Sequence, residues 1–154
     1  MRLVIATTLP ARAEQVREHV MTSRLMQHVS WPLTLFSPLS PPELPEIWGA
    51  DDYRVRMRSL WVVPLGEQTI SISFPTGTNG EFVMRDNGHG QLVKRWDHVI
   101  RIGPSADGRA TLYRDEVDVE AGPLTVPVWA WANFLYRWRQ YRWRRLARRG
   151  FSYG

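Results

Sequence analysis

Two residues of the sequence have the types that perform acid–base chemistry and stand where a fold could join them, His98 and Asp115. They lie in two stretches of alternating polarity separated by Asp107-Gly108, a dipeptide typical of hairpin turns. On antiparallel strands joined by that turn, the two side chains share a face and lie opposite or one step diagonal to each other. The sequence therefore predicts a hydrogen bond between an imidazole and a carboxylate.

Two interpretations of this pair are open. A buried carboxylate holds one histidine tautomer and could raise the pKa of the imidazole, which would make His98 a general acid or base, or a donor that orients a ligand. Alternatively, the pair is a satisfied polar contact that fixes the register of two strands. No residue that resembles a nucleophile accompanies the pair in the sequence.

Other catalytic chemistry has little support. The chain has no cysteine, which excludes thiolate nucleophiles, disulfides and cysteine-ligated metal centres. His19, His28 and His89 are scattered without the spacing of metal ligands, and the glycines between 77 and 90 mark turns rather than the start of a phosphate-binding helix. We therefore expect neither a metal nor a cofactor.

The elements that position the pair begin with a strand over Leu3–Leu9 and two short helices, over 11–20 and 23–29. The next stretch, 32–45, contains five prolines and predicts a covering loop, in which 33–36 forms a short edge strand.

From residue 52 onward, runs of alternating polarity are separated by turn-forming residues, which predicts consecutive antiparallel strands. The predicted strands are 52–63, 67–75, 81–86, 91–102 and 109–120. The predicted turns are Pro64-Leu65-Gly66, Thr76–Gly80, Asp86-Asn87-Gly88 and Asp107-Gly108. One face of this meander is apolar and the other is charged, so the apolar face needs a cover.

A long helix over Leu124–Arg149, introduced by Gly122-Pro123, is the element available to cover the sheet. Residues at three- and four-residue spacing form the stripe expected to lie on the sheet: Trp131, Leu135, Trp138 and Leu146, flanked by Phe134 and Tyr141. A second aromatic stripe, Trp129, Tyr136 and Trp143, is then left to meet loops, a partner or lipid.

These patterns predict one α+β domain over residues 1–154, in which a curved antiparallel sheet wraps a long C-terminal helix. The motifs Trp96-x-His98 and Thr111-x-x-x-Asp115-x-Val117, and the helical segment Leu135–Gln140, resemble small bacterial members of the START-like (SRPBCC) helix-grip superfamily. That superfamily also includes polyketide cyclases and birch-pollen-type allergens. The order of elements resembles it over almost the whole chain.

The resemblance implies a cavity between sheet and helix for an apolar ligand. The predicted lining residues are Tyr53, Met57, Trp61, Trp96, His98, Ile100, Tyr113, Asp115, Val117, Trp131, Leu135 and Trp138. The alternative is that these large rings fill the space themselves as an ordinary core.

The resemblance favours a carrier or sensor of a small apolar molecule, of lipid or polycyclic aromatic type, with His98 and Asp115 orienting its polar end. The alternative is a polyketide cyclase or dehydratase in which Asp115 activates His98 as the base. Absence of cysteine and of any long apolar run is consistent with a protein of the cytoplasm.

The net charge of +5 is concentrated near the C-terminus, where seven arginines fall within Arg137–Arg149. Three interpretations are open for this segment. In the first, the arginines pair with Glu116, Asp118 and Glu120 or extend over the core. In the second, the helix contacts an anionic membrane surface. In the third, it contacts nucleic acid.

Overall fold

The computed structural model describes residues 1–154 and contains seven strands and three α-helices. In chain order they are β1 (Arg2–Leu9), α1 (Ala13–Val20), α2 (Ser23–Ser30), β2 (Thr34–Ser40), β3 (Asp52–Ser59), β4 (Val63–Ser73), β5 (Phe82–Gly90), β6 (Arg95–Pro104), β7 (Thr111–Glu120) and α3 (Thr125–Arg148). A 3-10 turn, Gly122–Leu124, leads directly into α3.

The strands form one antiparallel sheet in the order β1-β7-β6-β5-β4-β3-β2. Strands β2 to β6 each pair with the next strand in the chain, which confirms the predicted meander. Strand β1 closes the opposite edge by pairing with β7, so that Ile5 lies opposite Asp115. The sheet curves around α3, and the predicted α+β helix-grip arrangement is confirmed.

Helix α3 packs against β1, β7 and α2. Its buried residues are Ala132, Leu135, Tyr136, Gln140, Trp143, Leu146 and Ala147. No helix in the structure combines the length and the apolar composition needed to cross a bilayer.

The face that α3 turns inward differs from the predicted one. Leu135 and Leu146 are buried as expected, but Tyr136 and Trp143, assigned to the outer stripe, are 1% and 2% exposed. Phe134 is 54% exposed. The prediction was wrong because it placed every large ring of one stripe on the sheet, whereas the real inner face mixes rings with polar side chains.

The segment predicted as a covering loop contains a longer edge strand than expected. Strand β2 runs from Thr34 to Ser40 and pairs with β3, with a register shift between Pro38 and Ser40. A proline is tolerated there because β2 is an edge strand and needs hydrogen bonds on one side only. The remainder of the segment leads to Trp48, whose backbone N–H donates to the Met21 carbonyl at 2.7 Å and whose ring is buried.

Two of the predicted turns lie inside strands. The β3–β4 turn is formed by Leu60 and Trp61, both at positive φ, with the Val62 N–H donating to the Ser59 carbonyl. Gly66, assigned to that turn, instead lies within β4 beside a bulge in its pairing with β3.

Strand β5 likewise runs through the predicted turn Asp86-Asn87-Gly88, and Asp86 pairs opposite His98 on β6. This shift places a carboxyl group on the sheet beside His98.

The core consists of two buried clusters. The larger one joins α1 and α2 to the middle of the sheet and includes Val16, Leu25 and Val55. The smaller one lies where α3 crosses β1 and β7 and includes Val117 and Tyr136. Residues from both clusters border one cavity between the sheet and α3.

Candidate functional site

The cavity between the sheet and α3 has a volume of about 130 Å³. Hydrophobic residues make up 21 of the 29 residues that line it. Eight of the residues predicted to line it do so: Met57, Trp96, His98, Ile100, Tyr113, Asp115, Trp131 and Leu135. The large rings therefore border a space and do not fill it completely.

The other four predicted residues lie elsewhere. Tyr53 is buried beside Trp48, with its hydroxyl bonded to Gly49, and Val117 lies in the core cluster under α3. Trp61 is 57% exposed because β3 ends at Ser59, before the predicted alternation would have turned it inward.

Trp138 stands at the edge of the inner face of α3. Its indole N–H donates to the Trp31 carbonyl at 3.1 Å, so it closes the contact between α2 and α3 and does not face the cavity.

His98 and Asp115 form the predicted hydrogen bond. In the register of β6 and β7, His98 lies opposite Val117 and Ile100 lies opposite Asp115, so the pair is diagonal. The imidazole Nε2 is 2.7 Å from the carboxylate Oδ1, and both side chains are buried.

Asp115 accepts two further hydrogen bonds. The Tyr113 hydroxyl donates to Oδ1 at 3.2 Å, and the Gln140 side-chain amide donates to Oδ2 at 2.9 Å. The same amide nitrogen donates to the Ile5 carbonyl at 2.8 Å, and because a carbonyl can only accept, the orientation of the Gln140 amide is fixed. One carboxylate therefore connects β6, β7 and α3, and Gln140 extends the connection to β1.

Burial lowers the pKa of His98, although the hydrogen bond and charge of Asp115 act in the opposite direction. The expected rise in the pKa was wrong because removing the imidazolium from water costs more than one carboxylate restores. His98 is therefore neutral at pH 7, with the proton on Nε2 where it donates to Asp115. Nδ1 is left as a hydrogen-bond acceptor.

Sequence reasoning missed Arg139, which lines the cavity from α3. Its guanidinium carbon lies 4.9 Å from the centre of the Tyr136 ring, and the side chain makes neither a hydrogen bond nor an ion pair. Burial acts to lower the pKa of Arg139, but the surrounding Tyr136, Asp115, Tyr113 and Asp86 together raise it, so the side chain stays charged.

Asp86 is the second missed residue. Burial raises its pKa to about 7, and its Oδ1 accepts the Ser71 backbone N–H at 2.8 Å. The sequence did contain a signal for Arg139, because it stands four residues after Leu135 and so shares its helix face. Asp86 gave none, because Asp86-Asn87-Gly88 is typical of a turn.

The arginines of α3 do not pair with the acidic residues expected. Glu116 is bound by Arg2, Arg101 and Arg114. Asp118 and Glu120 are bound by Arg95.

On α3 itself, Arg142 donates to the His28 carbonyl at 3.0 Å and Arg144 to Thr7 at 2.8 Å, which fastens the helix to α2 and β1. Contact of Arg137–Arg149 with an anionic membrane or with nucleic acid stays a prediction. No group of three or more His, Asp or Glu side chains is arranged to hold a metal ion.

Comparison with known proteins gives a likeness of fold at low sequence identity. No protein-family model matches the chain, and no curated protein matches it. Among solved structures, a conserved protein from Geobacillus kaustophilus is 14% identical, with 97% of this chain and 96% of that chain covered and a TM-score of 0.63.

Two further solved structures have informative descriptions. The Zhui aromatase/cyclase from Streptomyces sp. R1128 is 13% identical, covers 97% of this chain and 94% of its own, and has a TM-score of 0.61. A START superfamily protein from Mycobacterium smegmatis is 11% identical, covers 96% and 97%, and has a TM-score of 0.61. At these identities the likeness establishes the START-like fold.

The contacts of Gln140 generate a first prediction. Gln140→Leu removes the donor that the amide supplies to Asp115 Oδ2 and to the Ile5 carbonyl, and we expect the free energy of unfolding to fall by about 2–3 kcal/mol. Chemical denaturation measures this. Arg137→Leu, at an exposed position of the same helix, is the control and should change stability by less than about 0.5 kcal/mol. Equal stability of the two variants would contradict the account.

The raised pKa of Asp86 generates a second prediction. Its carboxyl has an ordinary pKa of 3.8 when unfolded and about 7 when folded, so folding binds a proton between those values and the wild-type protein loses stability as the pH rises through that window. Asp86→Asn keeps the acceptor for Ser71 but cannot ionise.

Denaturation at a series of pH values should therefore show the variant gaining stability relative to wild type from about pH 4 to pH 7, with a constant difference above that. The pH dependence that the two proteins share cancels in the comparison. A difference that does not change with pH would show that Asp86 is ionised in the folded protein throughout.

Proposed function

We propose that this START-like protein is a carrier or sensor that holds one small, mainly apolar molecule in the cavity between the sheet and α3. The observation that supports this is the cavity itself, whose wall is predominantly hydrophobic with a few polar groups at fixed positions. That combination is typical of sites that bind small molecules, since the apolar wall supplies affinity and the polar groups supply orientation.

The volume limits the size of the ligand. An apolar protein cavity of roughly 150 Å³ accepts benzene, and the cavity here is about 130 Å³. A single aromatic ring or a short alkyl chain matches this space. A polycyclic ligand is larger than the cavity, so we narrow the expected ligand to the smaller class.

The polar groups favour a ligand with one polar end. Nε2 of His98 donates to Asp115, and no protein group donates to Nδ1, which is left as an acceptor. The imidazole ring is held in place by the Tyr136 ring, at a centroid distance of 4.7 Å. A ligand hydroxyl could donate to Nδ1 while its apolar part contacts side chains such as Ile70 and Leu135. This arrangement supports an orienting role for His98 with Asp115.

The cyclase or dehydratase alternative is supported by the same pair. A neutral, buried imidazole can accept a proton at pH 7, and one solved structure of similar fold carries the name aromatase/cyclase. The small volume weighs against it, because linear polyketide chains and their ring products are larger than one ring. We therefore rank ligand carriage first.

Filling the cavity tests the proposal. Leu135 is a buried cavity-lining residue of α3, and Leu135→Trp should occupy the space into which toluene would bind. In a calorimetric titration we expect toluene to bind the wild-type protein, and to bind the variant at least about tenfold more weakly because the added ring fills the cavity.

Phe134→Trp is the matched control, because Phe134 is the exposed neighbour of Leu135 and gains the same ring. It should bind toluene as the wild type does. Circular dichroism shows whether Leu135→Trp is folded. The proposal fails if toluene does not bind the wild-type protein, or if a folded Leu135→Trp variant binds it equally well.

A further inference from the structure

The side chain of Arg139 has unused binding capacity. It lies on the same face of α3 as Leu135 and Trp143, and so it points toward the cavity that it lines. Its guanidinium carries a fixed charge and five N–H donors, yet no protein group accepts a hydrogen bond from it, and it lies over the face of the Tyr136 ring. The residue is half-buried, and a guanidinium packed among apolar side chains is normally satisfied by a carboxylate or by several carbonyl groups.

Neither neighbouring carboxyl group supplies those acceptors. The oxygens of Asp115 are occupied by His98, Tyr113 and Gln140. Asp86 forms no ion pair with Arg139, and its Oδ1 receives the backbone N–H of Ser71. The charge of Arg139 is thus stabilised from a distance, while its donors stay free.

Further polar atoms of the cavity wall also lack partners. They are the Trp143 indole N–H, the Ser30 hydroxyl and the Thr34 hydroxyl, on residues that are 2%, 1% and 2% exposed. These three atoms are themselves enclosed by protein and cost free energy without facing the cavity, so Arg139 is the unpartnered donor group that a bound molecule can reach. All three residues line the same cavity as Arg139.

We infer that the ligand is an acid, a small monocarboxylate whose carboxylate is bound by Arg139 and whose single ring or short chain lies among the apolar side chains of the cavity. A carboxylate suits a guanidinium because its two oxygens accept parallel N–H donors. The inference rests on the proposed function and adds the chemical class of the ligand.

The alternative within the same cavity is a neutral ligand. An alcohol or amide could also accept from Arg139, but it would offer fewer acceptors and no charge, and the desolvated guanidinium would gain less from it. Benzoate and benzamide separate the two possibilities, because they have nearly the same shape and differ in charge.

The experiment measures binding of benzoate, benzamide and toluene by calorimetry at pH 7 to the full chain, and to the Arg139→Gln, Arg139→Lys and Arg137→Gln variants. We expect the wild type to bind benzoate at least about tenfold more tightly than benzamide. Arg139→Gln should lose that preference but keep its affinity for toluene, and Arg139→Lys should restore part of it. Arg137→Gln, which removes an exposed charge from the same helix, should behave as the wild type does.

The outcomes distinguish this inference from the proposed function. If toluene binds but benzoate is not preferred, or if Arg139→Gln keeps the preference, the ligand is not recognised as an acid by Arg139 and only the inference fails. If toluene does not bind the wild-type protein, the proposed function fails, and the inference fails with it when benzoate does not bind either.

A measurement on the wild-type protein covers the case in which Arg139→Gln does not fold. The carbon-13 signal of carboxyl-labelled benzoate, titrated against pH in the presence of the protein, reports the pKa of the bound acid. Arg139 should hold that pKa below the value in free solution. A bound pKa above the free value would mean that benzoic acid binds as the neutral molecule, and the inference would be wrong.

Discussion

The carboxylate of Asp115 is the contact on which the rest of the site depends. It receives His98 from β6, Tyr113 from its own strand and Gln140 from α3. Three donors compensate the loss of water around a buried charge, which is otherwise among the costliest features a core can contain. Because Gln140 also reaches the Ile5 carbonyl, the rotation of α3 about its axis is fixed relative to three strands.

That fixed rotation determines which side chains of α3 line the cavity. With Gln140 turned toward Asp115, its neighbours on the same face of α3 are Tyr136 and Trp143, which fill the space beside the polar contacts. Arg139 comes to the cavity wall as a consequence, without a hydrogen-bond or ion-pair partner. The helix thus joins the sheet through a small polar network at one point and through apolar packing elsewhere, and the cavity lies where neither fills the space.

Much of the fold could be predicted from the sequence, because strand alternation and hairpin turns are local signals. The Asp107-Gly108 turn alone was enough to place His98 and Asp115 on one face, and the structure has them diagonal at hydrogen-bond distance. At other places, glycines that were predicted to mark turns lie inside strands. Gly90, for example, belongs to a strand pairing so close that a Cβ would lie 2.5 Å from the Glu67 carbonyl oxygen. The inner face of α3 predicted from hydrophobic spacing was also wrong. The hydrogen bonds of Gln140 to Asp115 and Ile5 help determine which face of the helix is buried, and hydrophobicity alone does not.

The location of a bound ring tests the central claim most directly. A crystal structure of the protein soaked with bromobenzene, recorded at the bromine absorption edge, locates the halogen independently of the protein atoms. If the cavity holds the ring, an anomalous bromine peak lies inside it, among apolar side chains such as Met57, Ile70 and Leu135. A peak found only on the outer surface, with the cavity walls collapsed together, would contradict that claim.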